Sequence, residues 1–175
     1  TGWSLGGGVS LFSAWKPIVD AISPNNKFAA HLPIYPPCMA KPSNMSFTDS
    51  PVHILIGELD DWVPAEPCEE IIREMRKTGH NASITVYPNS HHAFDREQDL
   101  EVIDHAYSFK DCRLTLKDNG EVATNNIHFP LFSPIMQKIG LLFCAERGST
   151  IGGNDSAREA SKNFALEFMN KYLKD

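Results

Sequence analysis

Apolar residues are distributed along this chain in two alternating rhythms. Val52, Ile54, Leu55 and Ile56 in "PVHILIGELD" (51–60) form a near-continuous, largely β-branched run. A run of that kind suits a parallel strand covered on both faces. "KFAAHLPIYP" (27–36), closed by Pro36 and Pro37, and the alternating "ASITVYP" (82–88) predict two further strands. Helical spacing occupies the intervals. A helix is expected from Gly6, with Val9, Leu11, Phe12 and Trp15 on its apolar side and Pro17 kinking or shortening it. "CEEIIREMRKTG" predicts a second helix, with Ile71, Ile72 and Met75 inward and Gly79 as its stop. "NDSAREASKNFALEFMNKYLKD" predicts a terminal amphipathic helix capped by Asn154 or Ser156, with Phe164, Leu166, Phe168, Met169 and Leu173 buried.

Strand and helix in alternation predict an α/β fold with a parallel sheet flanked by helices. The stretch 97–153 interrupts that rhythm and is expected to be an insertion on the sheet's rim before the last helix. "KDNGEV" within it signals a hairpin turn, and "SPIMQKIGLLFCAERG" a helix with Ser133 as cap and Pro134 at its first position. No internal repeat is visible.

Composition narrows the classes. Of 175 residues 42% are hydrophobic and 22% charged, an ordinary globular balance. A net charge of −6 and the absence of basic runs argue against a nucleic-acid partner. No apolar run is long enough to span a membrane, so no membrane partner is expected. Four cysteines, at 38, 68, 112 and 144, lack metal-ligand spacing and allow three disulfide connectivities or four free thiols. Cys38 and Cys68 each follow a predicted strand end and could meet at one sheet edge. Cys112 and Cys144 bracket a segment that a bridge would tie down. Localisation stays open between cytoplasmic and exported.

The densest chemistry is in "TGWSLGGG". Gly2-Trp3-Ser4-Leu5-Gly6 matches G-x-S-x-G, a strained strand-to-helix turn that presents a serine hydroxyl. Such a turn should follow a buried strand, and none precedes it here. The chain is therefore expected to be one partial domain, 1–175, entering a larger fold at the elbow. A serine needs a base and the base an acidic partner, in the chain order Ser, Asp, His for this turn. Ser4, then Asp60 ending the second predicted strand, then His92 after the third supply that order at strand ends, where an open parallel sheet gathers its ligands.

"GWSLGGG", "ILIGELDDWVPAEPC" and "VYPNSHHAFD" together resemble the dienelactone hydrolase family of α/β-hydrolases. The resemblance runs over about residues 1–96 and the final helix. It implies Ser4 as nucleophile, Asp60 as acid, His92 as base, the backbone N–H of Leu5 as one oxyanion donor, and no metal or organic cofactor. Asp61 and His91 are the neighbouring alternatives. The motif spacing favours Asp60, with Asp61 capping the loop, and the following Ala93-Phe94 favours His92. Well-known members carry cysteine at the elbow, so Ser4 makes serine-esterase chemistry the natural expectation. Arg96 coincides with a position that binds substrate carboxylate in true dienelactone hydrolases, and Trp3 is a second candidate substrate contact. The implied partner is a small ester or lactone, with the oligomeric state left open. The alternative is a non-catalytic interaction module that keeps only the later half of the fold.

Overall fold

A computed structural model describes residues 1–125 and 127–173. In chain order the elements are β1 (Gly2–Trp3), α1 (Leu5–Phe12), α2 (Lys16–Ile22), β2 (Pro33–Ile34), β3 (Ala40–Pro42), β4 (Val52–Gly57), α3 (Ala65–Lys77) and β5 (Ala82–Tyr87). There follow β6 (Glu101–Ser108), β7 (Leu114–Leu116), β8 (Val122–Thr124), α4 (Pro134–Leu141), β9 (Glu146–Ile151) and α5 (Asp155–Leu173). Four strands make a parallel sheet in the order β1-β2-β4-β5. Val52, Ile54, Leu55 and Ile56 of β4 are fully buried at its centre, as expected of a strand covered on both faces.

Directly before the turn at Ser4, two residues, Gly2 and Trp3, form a short strand and pair with Pro33 and Ile34. The strand expected over 27–36 shrinks to Pro33–Ile34, with His31 bridging to Val52. The helix from Gly6 becomes two, because Pro17 lies in the first turn of α2, where its missing N–H breaks no bond. Val9 is exposed; α1 buries Gly7, Gly8, Ser10 and Leu11 instead, so glycine lets it lie close to the sheet.

Helix α3 begins at Ala65, earlier than predicted, and buries Ile71, Ile72 and Met75. Gly79, at φ 87°, follows its C-terminus in the left-handed region that glycine tolerates best. Asn154 caps α5, its Oδ1 accepting from the Ala157 N–H at 3.0 Å. The face of α5 turned to the core is Ala157, Ser161, Phe164, Phe168 and Tyr172, spaced four, three, four and four apart. Leu166 and Leu173 fall off that stripe and are exposed.

The 97–153 stretch supplies the predicted hairpin, β7 against β8, and α4 capped by Ser133. Two features escaped the local pattern. β3 joins the hairpin as a parallel third strand, and "AERG" leaves the predicted helix to enter β9, which pairs antiparallel with β6. The sulfurs of Cys38 and Cys68 are bonded, as are those of Cys112 and Cys144. Closing loops with sequence separations of 30 and 32 residues contributes roughly 3–4 kcal/mol each in the chain-entropy picture. Among the described residues no helix is long and apolar enough to cross a membrane.

Two histidines are held neutral within this core. His53 lies against Phe164 and between the hydroxyls of Ser83 and Thr85, and its pKa falls to about 4, mainly through burial with Arg76 adding to it. His31 is lowered by burial too. The unfolded chain takes up these protons near pH 6.5 and the folded one does not. Stability is therefore complete above that value and declines as pH falls toward 4. His53 accounts for about 1–2 kcal/mol of that decline once its partial exposure is discounted. Urea unfolding at about pH 7 and about pH 4.5 should show a smaller loss for His53→Gln than for wild type. Equal losses would contradict this assignment.

Candidate active site

The turn that presents Ser4 is built from close backbone contacts. Ser4 sits at φ 51° and ψ −117°, a region that a non-glycine residue occupies at a cost of about 1–3 kcal/mol. Its N–H donates to the Ile34 carbonyl at 2.9 Å, and its own carbonyl accepts from Gly8 at 3.0 Å. A Cβ on Gly2 would lie 2.2 Å from the Gly6 carbonyl oxygen, so only glycine lets the chain double back here. The outcome is a serine hydroxyl raised at the carboxyl edge of the sheet. Leu5, the first residue of α1, has a backbone N–H with no intrahelical acceptor, and the helix dipole favours negative charge beside it.

Asp60 and His92 reach that hydroxyl from the ends of β4 and β5. His92 Nε2 lies 3.0 Å from Ser4 Oγ, and His92 Nδ1 lies 2.8 Å from Asp60 Oδ2. The Asp60 side chain is fully buried, and its second oxygen accepts the backbone N–H groups of Trp62 (3.0 Å) and Val63 (2.8 Å). A carboxylate can only accept, so His92 Nδ1 carries the proton, Nε2 is left as acceptor, and the Ser4 hydroxyl donates to it. The His92 carbonyl accepts from Gly152, just beyond β9. The rings of Tyr35, at 4.7 Å, and Trp62, at 5.2 Å, flank the imidazole.

The neighbouring candidates lie elsewhere. Asp61 turns away from His92 and accepts from the Thr150 N–H (2.9 Å) and hydroxyl (3.1 Å), so it pins β9 rather than capping its own loop. His91 lines a cavity of about 650 Å³ together with Glu58, Asp60, Asp61 and Glu66, and no hydrogen bond joins it to Ser4. Arg96 shares no hydrogen bond with Ser4, Asp60 or His92; its Nε donates to Gln98 at 3.0 Å. Trp3 is half exposed beside the elbow and donates from Nε1 to Asp95 at 2.7 Å. Tyr35, Trp62 and Asp95 were not picked out from the sequence. Tyr35 alone left a signal there, an aromatic closing a predicted strand at the edge where ligands gather. Among the described residues no group of three or more His, Cys, Asp or Glu side chains is arranged to hold a metal ion.

Such a constellation can carry out nucleophilic acyl transfer: a hydroxyl with a base in contact, the base oriented from behind, and N–H groups beside the nucleophile. The sequence profile of the dienelactone hydrolase family matches residues 1–117. A search of curated proteins finds no match. Among solved structures, the chain is similar to a protein described as a dienelactone hydrolase from Klebsiella pneumoniae subsp. pneumoniae, at 24% identity and TM-score 0.41 over 54% of this chain and 40% of that one. It is also similar to esterase PE8, at 20% identity and TM-score 0.41 over 53% and 41% of the two chains. A thermophilic esterase of Thermogutta terrifontis with bound propionate matches at 17% identity and TM-score 0.44 over 54% and 45%. The chain thus spans less than half the length of each of these structures.

Proposed function

This chain belongs to the dienelactone hydrolase family, and from that premise we propose that it carries the reacting residues of a serine hydrolase acting on a small ester or lactone. One observation carries the reading: a serine on a strained turn, 3.0 Å from an imidazole nitrogen whose partner nitrogen meets a buried carboxylate at 2.8 Å. In the reaction Ser4 Oγ attacks the substrate carbonyl carbon as its proton passes to His92 Nε2. Asp60 holds the resulting imidazolium, and the oxyanion lies against the Leu5 N–H. Collapse of the tetrahedral adduct breaks the bond to the leaving oxygen, which takes the proton from His92. A water molecule then gives a proton to His92 and attacks the acyl carbon; collapse of this second adduct breaks the bond to Ser4 Oγ, which takes the proton back from His92 as the acid leaves. In a lactone the leaving oxygen stays tethered to the acyl group, and one hydroxy acid is the product.

The test is turnover of short-chain p-nitrophenyl esters and of a simple aromatic lactone by the protein that carries this chain. Wild type should hydrolyse at least one of them. His92→Ala should be slower by on the order of 10³-fold or more, with KM little changed, because only the transition state uses the base. Equal rates for the two proteins would remove His92 from the chemistry.

A further inference from the structure

Asp95, three residues beyond His92, is engaged at both oxygens by residues that flank the reacting groups. Its Oδ1 accepts the Tyr35 hydroxyl at 2.8 Å and its Oδ2 accepts the Trp3 indole N–H at 2.7 Å. Trp3 directly precedes Ser4 in the chain. Tyr35 directly follows β2, and its ring meets the His92 imidazole edge-on, 4.7 Å away at 61°. Phe94, fully buried beside Asp95 in sequence, packs edge-on against the same Tyr35 ring at 5.5 Å. One carboxylate therefore touches the ends of three structural segments, the elbow after β1, the tip of β2 and the loop after β5.

We propose that Asp95 is a positioning residue, a carboxylate strap that fastens the Trp3–Ser4 elbow to the loop bearing His92 and so fixes the approach of the hydroxyl to the imidazole. The inference rests on the roles given above to Ser4 and His92. Three features support it. Trp3 is about half exposed, at 49%, so packing alone does not fix its indole, whereas a bond to a carboxylate does. Tyr35 is held at φ 38°, a left-handed conformation that an aromatic residue keeps only when its surroundings over-determine it. Burial, with Asp95 adjacent, also keeps the Tyr35 phenol protonated well above its ordinary range, so it remains a donor to the strap. Asp95 reaches neither Ser4 Oγ nor His92 by a hydrogen bond, and its influence passes through the two rings. The leverage is large, since a shift of about 1 Å between reacting groups can cost on the order of 10²-fold in rate.

The experiment compares wild type, Asp95→Ala, Asp95→Asn, Trp3→Phe and the Asp95→Ala/Trp3→Phe double variant of the protein that carries this chain. Read out are kcat and KM on a p-nitrophenyl ester and the rate at which a fluorophosphonate modifies Ser4. Asp95→Ala should lower kcat on the order of 10–100-fold and slow Ser4 modification by a similar factor, with KM within about threefold of wild type. Asp95→Asn keeps an acceptor for Trp3 and offers an amide donor to the Tyr35 oxygen, and should recover most of the loss. The double variant should be no slower than Asp95→Ala, because both changes cut the same strap.

Wild-type modification rates in Asp95→Ala, multiplying losses in the double variant, or a change confined to KM would each overturn the proposal. Should Asp95→Ala fail to fold, Trp3→Phe decides: it keeps an aromatic ring at the elbow, though a smaller one, and loses the N–H donor to Asp95, and an unchanged kcat overturns the strap. A wild type that is not modified at Ser4 overturns the hydrolase reading together with this inference. A modified wild type with unaffected Asp95 variants overturns the strap alone.

Discussion

Replacing Ser4 by glycine is expected to give a protein more stable than wild type and unable to hydrolyse esters. Ser4 occupies φ 51° and ψ −117°, which glycine enters without the steric cost borne by a side chain. Relief of about 1–3 kcal/mol is partly offset by about 0.5–1 kcal/mol of extra chain entropy in the unfolded glycine variant, leaving a net gain on the order of 1 kcal/mol. Ser4→Ala keeps the Cβ and its strain, so its stability should stay close to wild type. Both variants lack the nucleophile, and kcat should fall by on the order of 10³- to 10⁶-fold. Denaturant unfolding and ester turnover on the same three proteins separate the two effects. Wild-type turnover in Ser4→Ala would remove the serine from the reaction. A Ser4→Gly protein less stable than Ser4→Ala would show that the elbow is not strained as its backbone implies.

Asp60→Asn should be nearly as damaging to turnover while leaving the fold in place. The substituted side chain has the same shape, and its carbonyl oxygen can still accept the Trp62 and Val63 N–H groups that anchor the loop. Its amide nitrogen, though, would face His92 Nδ1 and donate to it. The imidazole proton then moves to Nε2 and points at Ser4, so the ring can no longer accept the hydroxyl proton. The same exchange in a serine protease lowers kcat by about 10⁴-fold, and a loss on that order is expected here with stability changed by less than about 2 kcal/mol. Asp61→Asn provides the contrast. Asp61 binds Thr150 rather than His92, so its replacement should loosen the hold on β9 and slow turnover far less. If Asp61→Asn proved the more damaging of the two, the assignment of the acid would have to move.

The parts of this molecule that could be read locally are those whose residues answer to local rules. β4 announced itself because a buried parallel strand must be apolar on both faces, and Gly79 because a helix end favours a residue that tolerates positive φ. Ser4, Asp60 and His92, which the structure brings within hydrogen-bonding reach of one another, stood out for a related reason: the turn at Ser4 needs small residues at fixed offsets, and the other two follow strand ends. What stayed hidden depended on distant partners. "AERG" carries no strand signal of its own, and it becomes β9 only because β6 lies beside it. Leu166 and Leu173 looked buried by composition, yet the stripe that faces the core is set by Phe164 and Phe168 meeting His53 on β4. Asp95 ended a quoted motif without a role, since its partners lie 60 and 92 residues earlier in the chain. Asp61 was expected to cap its own loop, and its true partner is 89 residues away.

The most direct measurement is the location of a covalent adduct. Treating the protein that carries this chain with a fluorophosphonate and mapping its peptides by mass spectrometry should place the phosphonyl group on Ser4 alone. The same treatment of His92→Ala should leave Ser4 largely unmodified over the same time. An adduct on a different serine, or equal labelling of Ser4 with and without the imidazole, would contradict the proposal that these side chains act as one nucleophilic unit.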